Sequence, residues 1–288
     1  NTKDEGFNRN LLPSIGFNHC IVAMEGKNGL RFFDLTAHNF HYQTLPELDI
    51  DGLYLLIKDG VTTAAHVPDK GFLPDNIRRK TTIYIMDDES ISGTTVTTKT
   101  GLQAAYSRYT YRYESSEEQT RLMQEALIEE FPELRLTSFI PTAGFTDITP
   151  VVEYMFSFEI PSFLAEAGDY RLFKMPWSDK LVASGELTND SRKFPLMLWN
   201  SEDTLSENMT VKLPAGYEPV ETSYSQKYEC SSATYSISME YKDGYLNCSR
   251  EMVYLTREVK PEDFPAYKDF STKVIKADSK QLLLKKKE

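Results

Sequence analysis

The stretch ATYSISMEYKDGYLNCSREMVYLTRE, residues 233–258, constrains the chain most. Two strand-like runs flank Asp243-Gly244, a dipeptide that supplies the positive-φ positions of a tight hairpin turn. A lone hairpin is marginal in water, so a chain carrying one this long is committed to a larger sheet. Its neighbours agree: TPVVEYMFSFEIP, DYRLFKMP, FPLMLWN, MTVKLPAGYEPV and the closing QLLLKKK all read as strands. Residues 79–114, RKTTIYIMDDESISGTTVTTKTGLQAAYSRYTYRYE, alternate and turn like a β meander. Seventeen tyrosines and abundant Thr and Ser have the same leaning.

Two helices interrupt this pattern. Ser115 and Glu118 form a capping box, Met123, Leu127 and Phe131 recur at helical spacing, and Pro132 ends the run. A second stripe, Tyr267, Phe270, Val274 and Ala277, predicts a helix from about Asp263 to Asp278. The fold class that follows is α+β and β-dominated. PDKGFLPDN, residues 68–76, has two prolines, a glycine and three Asp/Asn residues, and it marks a module boundary. The expected division is 1–70 and 76–288, the second part being a β-sandwich-like module with two helices.

A formal charge of −11 over 288 residues argues against a nucleic-acid or anionic-membrane partner. The Lys285–Lys287 run reads as a solvated strand end. No stretch approaches the roughly 20 apolar residues of a membrane span. Three cysteines are too few for a disulfide framework. Cys230 and Cys248 are read as reduced, half-buried thiols, able to pair only if the protein is exported.

The segment FNHCIVAMEGKNGLRFFDLT, residues 17–36, carries the chemistry. It reads as strand, turn, strand, with the turn at EGKNG. A turn placed symmetrically between Gly26 and Gly29 sets His19 opposite Thr36 and Asp34 opposite Ile21. Opposed residues share a face, so His19 and Asp34 become diagonal neighbours with Cα atoms about 7–8 Å apart. A carboxylate so placed can orient an imidazole and stabilise its protonated form. Cys20, next to His19 on an extended strand, points to the other face and is expected on the core side. The segment therefore offers a base and an orienting acid without a nucleophile. The strand LYLLIKDG follows, then TTAAHVP.

These residues resemble the His- and Asp-bearing end of transglutaminase-like domains. There a strand with NH-x-[IV] is followed, after a turn, by one ending in xxD-[LP]-T. LPELDIDGLYLLIKDGVTTAAHVP looks like the strand that completes such domains. From about Arg78 the chain is similar to the β-rich module of unassigned function that follows them in exported bacterial proteins; TGLQAAYSRYTYR, LPAGY and the closing YKDF…VIKADSKQLLLKKK carry that likeness. The resemblance implies the C-terminal part of a papain-like catalytic sheet in residues 1–70. It also implies a cysteine protease or amidase in which His19 is the base and Asp34 the orienting acid. The family's nucleophilic Cys starts a helix upstream of the His, and no residue before His19 is a Cys. The implied partners are a protein or peptide substrate, such as a cell-wall peptide, and an N-terminal half of the same protein. The implied location is periplasmic or extracellular, with no cofactor.

Other candidates read as structural. His38, His41 and His66 lie in loop-like sequence without helical ligand spacing. Asp49 and Asp51, like Asp87-Asp88-Glu89, read as turn formers. Trp177 and Trp199 read as core aromatics. A rival reading remains: a non-catalytic binding or scaffolding module that keeps a relict His/Asp hairpin and binds its ligand in a groove of the second module.

Overall fold

The computed structural model describes residues 17–286, apart from 28, 69, 183–186 and 199–202. Trp199 and Lys287 thus lie outside the described residues. Two antiparallel hairpins come first: β1 (Val22–Gly26) with β2 (Gly29–Phe33), and β3 (Leu53–Lys58) with β4 (Val61–His66). The β1–β2 register is the expected one, from Val22↔Phe33 to Gly26↔Gly29. Phe32, Leu45, Ile50 and Val67 form a small core of their own between the hairpins, with Ile21, Ala23, Leu30, Tyr54 and Phe72 packed against it.

Beyond residue 76 run β5 (Asn76–Ile85), β6 (Ile91–Thr100), α1 (Gly101–Tyr111), α2 (Ser116–Ile128), β7 (Arg135–Ala143), β8 (Val151–Ile160), β9 (Ala165–Ala167) and β10 (Tyr170–Lys174). Then come β11 (Leu196–Met197), β12 (Thr204–Lys212), β13 (Tyr217–Pro219), β14 (Ser223–Glu229), β15 (Ala233–Lys242), β16 (Tyr245–Tyr254), β17 (Glu258–Val259), α3 (Phe264–Asp278) and β18 (Gln281–Lys286). An eight-stranded sheet dominates, in the order β14-β15-β16-β12-β5-β6-β8-β7. Every pairing in it is antiparallel except β12 with β5. A four-stranded sheet, β13-β18-β10-β9, shares its hydrophobic core through Phe173, Leu282 and Leu284.

Period-two patterning explains the layering. Val152, Tyr154, Phe156, Phe158 and Ile160 of β8 are buried, while the residues between them are at least partly open. The same alternation runs through β5, β12, β15 and β16, so one face of the large sheet is covered and the other is polar. The cover consists of the small sheet and the helices. Gly93 of β6 is one place where a side chain has no room: a Cβ there would lie 2.4 Å from the Phe158 ring.

The expected α+β, β-dominated class holds. One element corrects the sequence reading: the described residues contain three helices, because residues 101–111 form α1 instead of continuing the meander. Thr100 makes no side-chain cap at its start; Asp75 supplies that cap from a distant position, its Oδ1 accepting the Leu102 N–H at 2.7 Å. Gly101 has φ +60 and abuts the same Asp75 oxygen, so the junction needs a residue without Cβ. Arg108, fully buried, donates from Nε to the Gly144 carbonyl at 2.5 Å, from Nη1 to the Asn39 carbonyl at 3.2 Å, and from Nη2 to the Thr149 carbonyl. These contacts bind α1 to the first segment and to the β7–β8 connection. They outweigh the weak helix propensity of a Tyr/Thr/Ser-rich run.

The buried face of the large sheet carries a row of charges. Register sets Arg250 of β16 opposite Glu207 of β12, and Glu207 opposite Arg79 of β5. Arg250 Nε donates to Glu207 Oε2 at 2.6 Å, and its Nη1 meets Asp278 Oδ2 of α3 at 2.5 Å. Arg79 pairs with Asp179, and Trp177 stacks 4.7 Å from the Arg250 guanidinium. Burial alone would push the Glu207 carboxyl up, but Arg250 and Arg79 outweigh it and hold it below its ordinary value.

Candidate active site

The first hairpin continues its alternation past the end of β1. Phe17, His19, Ile21 and Ala23 are half-buried, whereas Asn18, Cys20, Val22 and Met24 are exposed. Parity therefore separates Cys20 from His19 as the sequence implied. The expectation that Cys20 lies on the core side is overturned, because the inner face of the hairpin is the one that carries His19. The small core under Ile21, Ala23 and Phe32 fixes this choice of face.

His19 and Asp34 meet: Nε2 lies 3.2 Å from Asp34 Oδ2. The Asp34 side chain is only 4% exposed and that of His19 is 28% exposed. Thr36 locks the carboxylate, donating to Asp34 Oδ1 from its backbone N–H at 2.8 Å and from Oγ1 at 2.7 Å. Burial pushes the Asp34 carboxyl up, but the two Thr36 hydrogen bonds and His19 outweigh it and hold it below the usual carboxylate range. Asp34 thus stays ionised and keeps a proton on Nε2, which leaves Nδ1 as the ring nitrogen that can accept one.

Asp49 is the residue that sequence reasoning missed. It does sit in a turn, its N–H bonded to the Pro46 carbonyl at 3.0 Å and its carbonyl accepting from Gly52 N–H at 3.0 Å. Its side chain, 6% exposed, also reaches the pair, with Oδ2 4.0 Å from His19 Nε2. That oxygen accepts no hydrogen bond. Burial pushes its carboxyl up, helped by the neighbouring Asp34 charge and opposed by His19. A loop residue has no strand parity from which this contact could be read. The only sequence signal was an Asp set between Leu48 and Ile50.

The other histidines stay apart from this group. His41 is buried beside Tyr42 and accepts the Gln43 N–H at Nδ1, while His66 Nδ1 lies 2.8 Å from the Asp51 carbonyl. Among the described residues, the one group of three or more His, Cys, Asp or Glu with ligand atoms close together is His19, Asp34 and Asp49. Cys230, just past the end of β14, and Cys248, on β16, are free thiols; burial pushes the Cys248 thiol up to about 12. Trp177 is a core residue. No helix among the described residues is long and apolar enough to cross a membrane.

Residues 169–284 match a family described as a domain of unknown function with a solved structure, DUF3858. No curated protein matches the chain. A crystal structure of a "putative protease" from Parabacteroides distasonis is similar over 41% of this chain and 24% of its own, at 13% identity and a TM-score of 0.34. This chain therefore spans about a quarter of that protein.

Proposed function

We propose that residues 17–70 carry the base and orienting acid of a transglutaminase-like cysteine amide hydrolase. The nucleophilic thiol comes from a segment upstream of Asn1, and residues 76–288 form an accessory module. The observation that carries this reading is the contact from His19 Nε2 to Asp34 Oδ2 at 3.2 Å, with Asp34 held by both Thr36 donors. An imidazole fixed in this tautomer presents Nδ1 as the proton acceptor.

The chemistry runs through that nitrogen. A thiol proton passes to Nδ1, leaving a thiolate beside an imidazolium that Asp34 stabilises. The thiolate attacks the amide carbonyl carbon. As the C–N bond breaks, the leaving amine takes the Nδ1 proton and an acyl-thioester remains. Water, giving a proton to Nδ1, then attacks the thioester carbon; the C–S bond breaks, the acid leaves and the thiolate–imidazolium pair is restored, whereas an amine attacking in place of water yields a cross-link. A peptide substrate, including a cell-wall peptide, and an exported location belong to the same proposal.

The rival, a binding module, calls for a groove, and a cleft of about 520 Å³ does open beside Trp177. Most of its charged groups are already committed: Glu130 to Lys180, Asp179 to Arg79, and Arg250 to Asp278. The hairpin site, with its unmatched buried carboxylate, is the better place for chemistry. The test is the protein extended upstream, assayed for amide hydrolysis that thiol alkylation abolishes. His19→Ala is expected to lower the rate by roughly 10²–10⁴-fold, the usual worth of a general base. Unchanged hydrolysis in that variant overturns the assignment.

A further inference from the structure

We propose that His19, Asp34 and Asp49 together bind one divalent transition-metal ion, for which zinc has the best-suited chemistry. One ligand atom from each residue lies within 4.8 Å of the others. The two distances from His19 Nε2 are 3.2 Å to Asp34 Oδ2 and 4.0 Å to Asp49 Oδ2. Tetrahedral zinc with bonds of about 2.0–2.1 Å has ligand-to-ligand edges of about 3.3 Å, so the His19–Asp34 edge already fits and Asp49 closes the triangle by moving inward.

Three further observations point the same way. The Asp49 Oδ2 atom is buried, faces the cluster and accepts no hydrogen bond, which is costly for a carboxylate oxygen and is relieved by a cation. Neither Asp34 nor Asp49 has an ion pair with Lys or Arg among the described residues; His19 is the partner of both. With a neutral ring, two ionised carboxylates amount to the charge a divalent cation cancels. Thr36 already holds Asp34 through its second oxygen, as outer-shell donors hold metal-ligating carboxylates. One imidazole with two carboxylates suits zinc, cobalt or nickel better than calcium or magnesium, which prefer oxygen alone.

The binding does not depend on the catalytic reading, but it interacts with it. A metal on Nε2 leaves the ring proton on Nδ1 and draws Asp34 off the ring. His19 then cannot accept a thiol proton, so the ion acts as a reversible block on the proposed chemistry.

The experiment is calorimetric titration of zinc chloride into this chain near neutral pH, paired with cobalt(II) visible absorption. One equivalent is expected to bind, with the intense bands of a low-symmetry, four-coordinate cobalt centre. His19→Ala is expected to abolish the bands, Asp49→Asn to weaken binding at least tenfold, and Thr36→Val to weaken it by roughly 10–100-fold. His41→Ala and His66→Ala are expected to bind as the parent does. Circular dichroism checks the fold of each variant, and half-exposed His19 provides the readout if Asp49→Asn does not fold. Absence of one-equivalent binding, binding unmoved by either His19→Ala or Asp49→Asn, or binding lost instead in His66→Ala overturns the proposal. Hydrolysis failing in the extended protein while zinc still binds at this triad removes only the catalytic reading.

Discussion

The protein buries charge in two places and treats it in opposite ways. Across the large sheet, Asp278, Arg250, Glu207, Arg79 and Asp179 alternate in sign, and both guanidinium groups reach carboxylates. At the hairpin, two buried carboxylates share a single histidine, and one of their oxygens has no donor. In the first arrangement each guanidinium has a carboxylate beside it, although Arg79 Nε has no acceptor, and the Arg250–Asp278 pair ties α3 to the sheet. The second leaves an unmet demand for a proton or a cation, which is the state a reactive centre needs.

The largest expected effect breaks the alternating row. Arg250→Met removes the guanidinium that Glu207 and Asp278 share and should cost about 3–5 kcal/mol, because both buried carboxylates lose their main cation. Urea unfolding at neutral pH measures it, and a loss under about 1 kcal/mol would mean that the row contributes little.

Asp75 stands between the two cases. Its oxygens face the Leu102 N–H and the Arg257 Nη2 at 2.9 Å, yet burial pushes its carboxyl up to about 6. A carboxyl raised on folding binds its proton more tightly in the native state. Its contribution is therefore full below the unfolded value near pH 4 and falls as pH rises through about 6, by about 3 kcal/mol in all. Unfolding the parent and Asp75→Asn at pH 4 and pH 7 should show the parent's advantage shrinking by that amount. A difference that does not move with pH would place Asp75 with the compensated charges.

Asp49→Asn probes the under-partnered side and should have the opposite sign from Arg250→Met. Removing the unmatched charge is expected to stabilise the metal-free chain by about 1 kcal/mol at pH 7. Destabilisation beyond 1 kcal/mol, on the order of a lost buried hydrogen bond, would show that Asp49 is fully partnered after all.

Cys20→Ser should be the smallest effect, within about 0.5 kcal/mol, as for other exposed positions. In the parent, Cys20 should react quickly with a thiol reagent while Cys248 waits for unfolding. A slow Cys20 would mean that its side of the hairpin is covered in solution.

Much of this architecture was legible in the sequence where local rules govern. Hairpin parity brought His19 to Asp34, and the Thr two residues after that Asp is the one that holds it. The Asp243-Gly244 turn and the helix capped by Ser115 stand where local chemistry put them. What the sequence hid was decided over distance. The start of α1 is capped by Asp75, 27 residues from Leu102, and Arg108 ties the helix to two remote stretches. Cys20 was assigned the wrong burial because strand alternation says which residues share a face and not which face meets the core. Asp49 reaches His19 from a loop, where no periodicity applies.

The one parallel pairing among the described residues, β12 with β5, has a consequence for how the chain comes together. The family match begins at residue 169, yet β5, β6, β7 and β8 of the large sheet come from residues 76–160. An excised 169–284 fragment would hold β14, β15, β16 and β12 and would end on a naked β12 edge, a template for pairing with other chains. The seam that closes this sheet joins Asn76 to Thr204, across 128 residues, so it forms after a long search and late in synthesis. Until β12 emerges, β5 has β6 on one side only. A fragment that keeps the large sheet whole therefore starts ahead of β5 rather than ahead of β10.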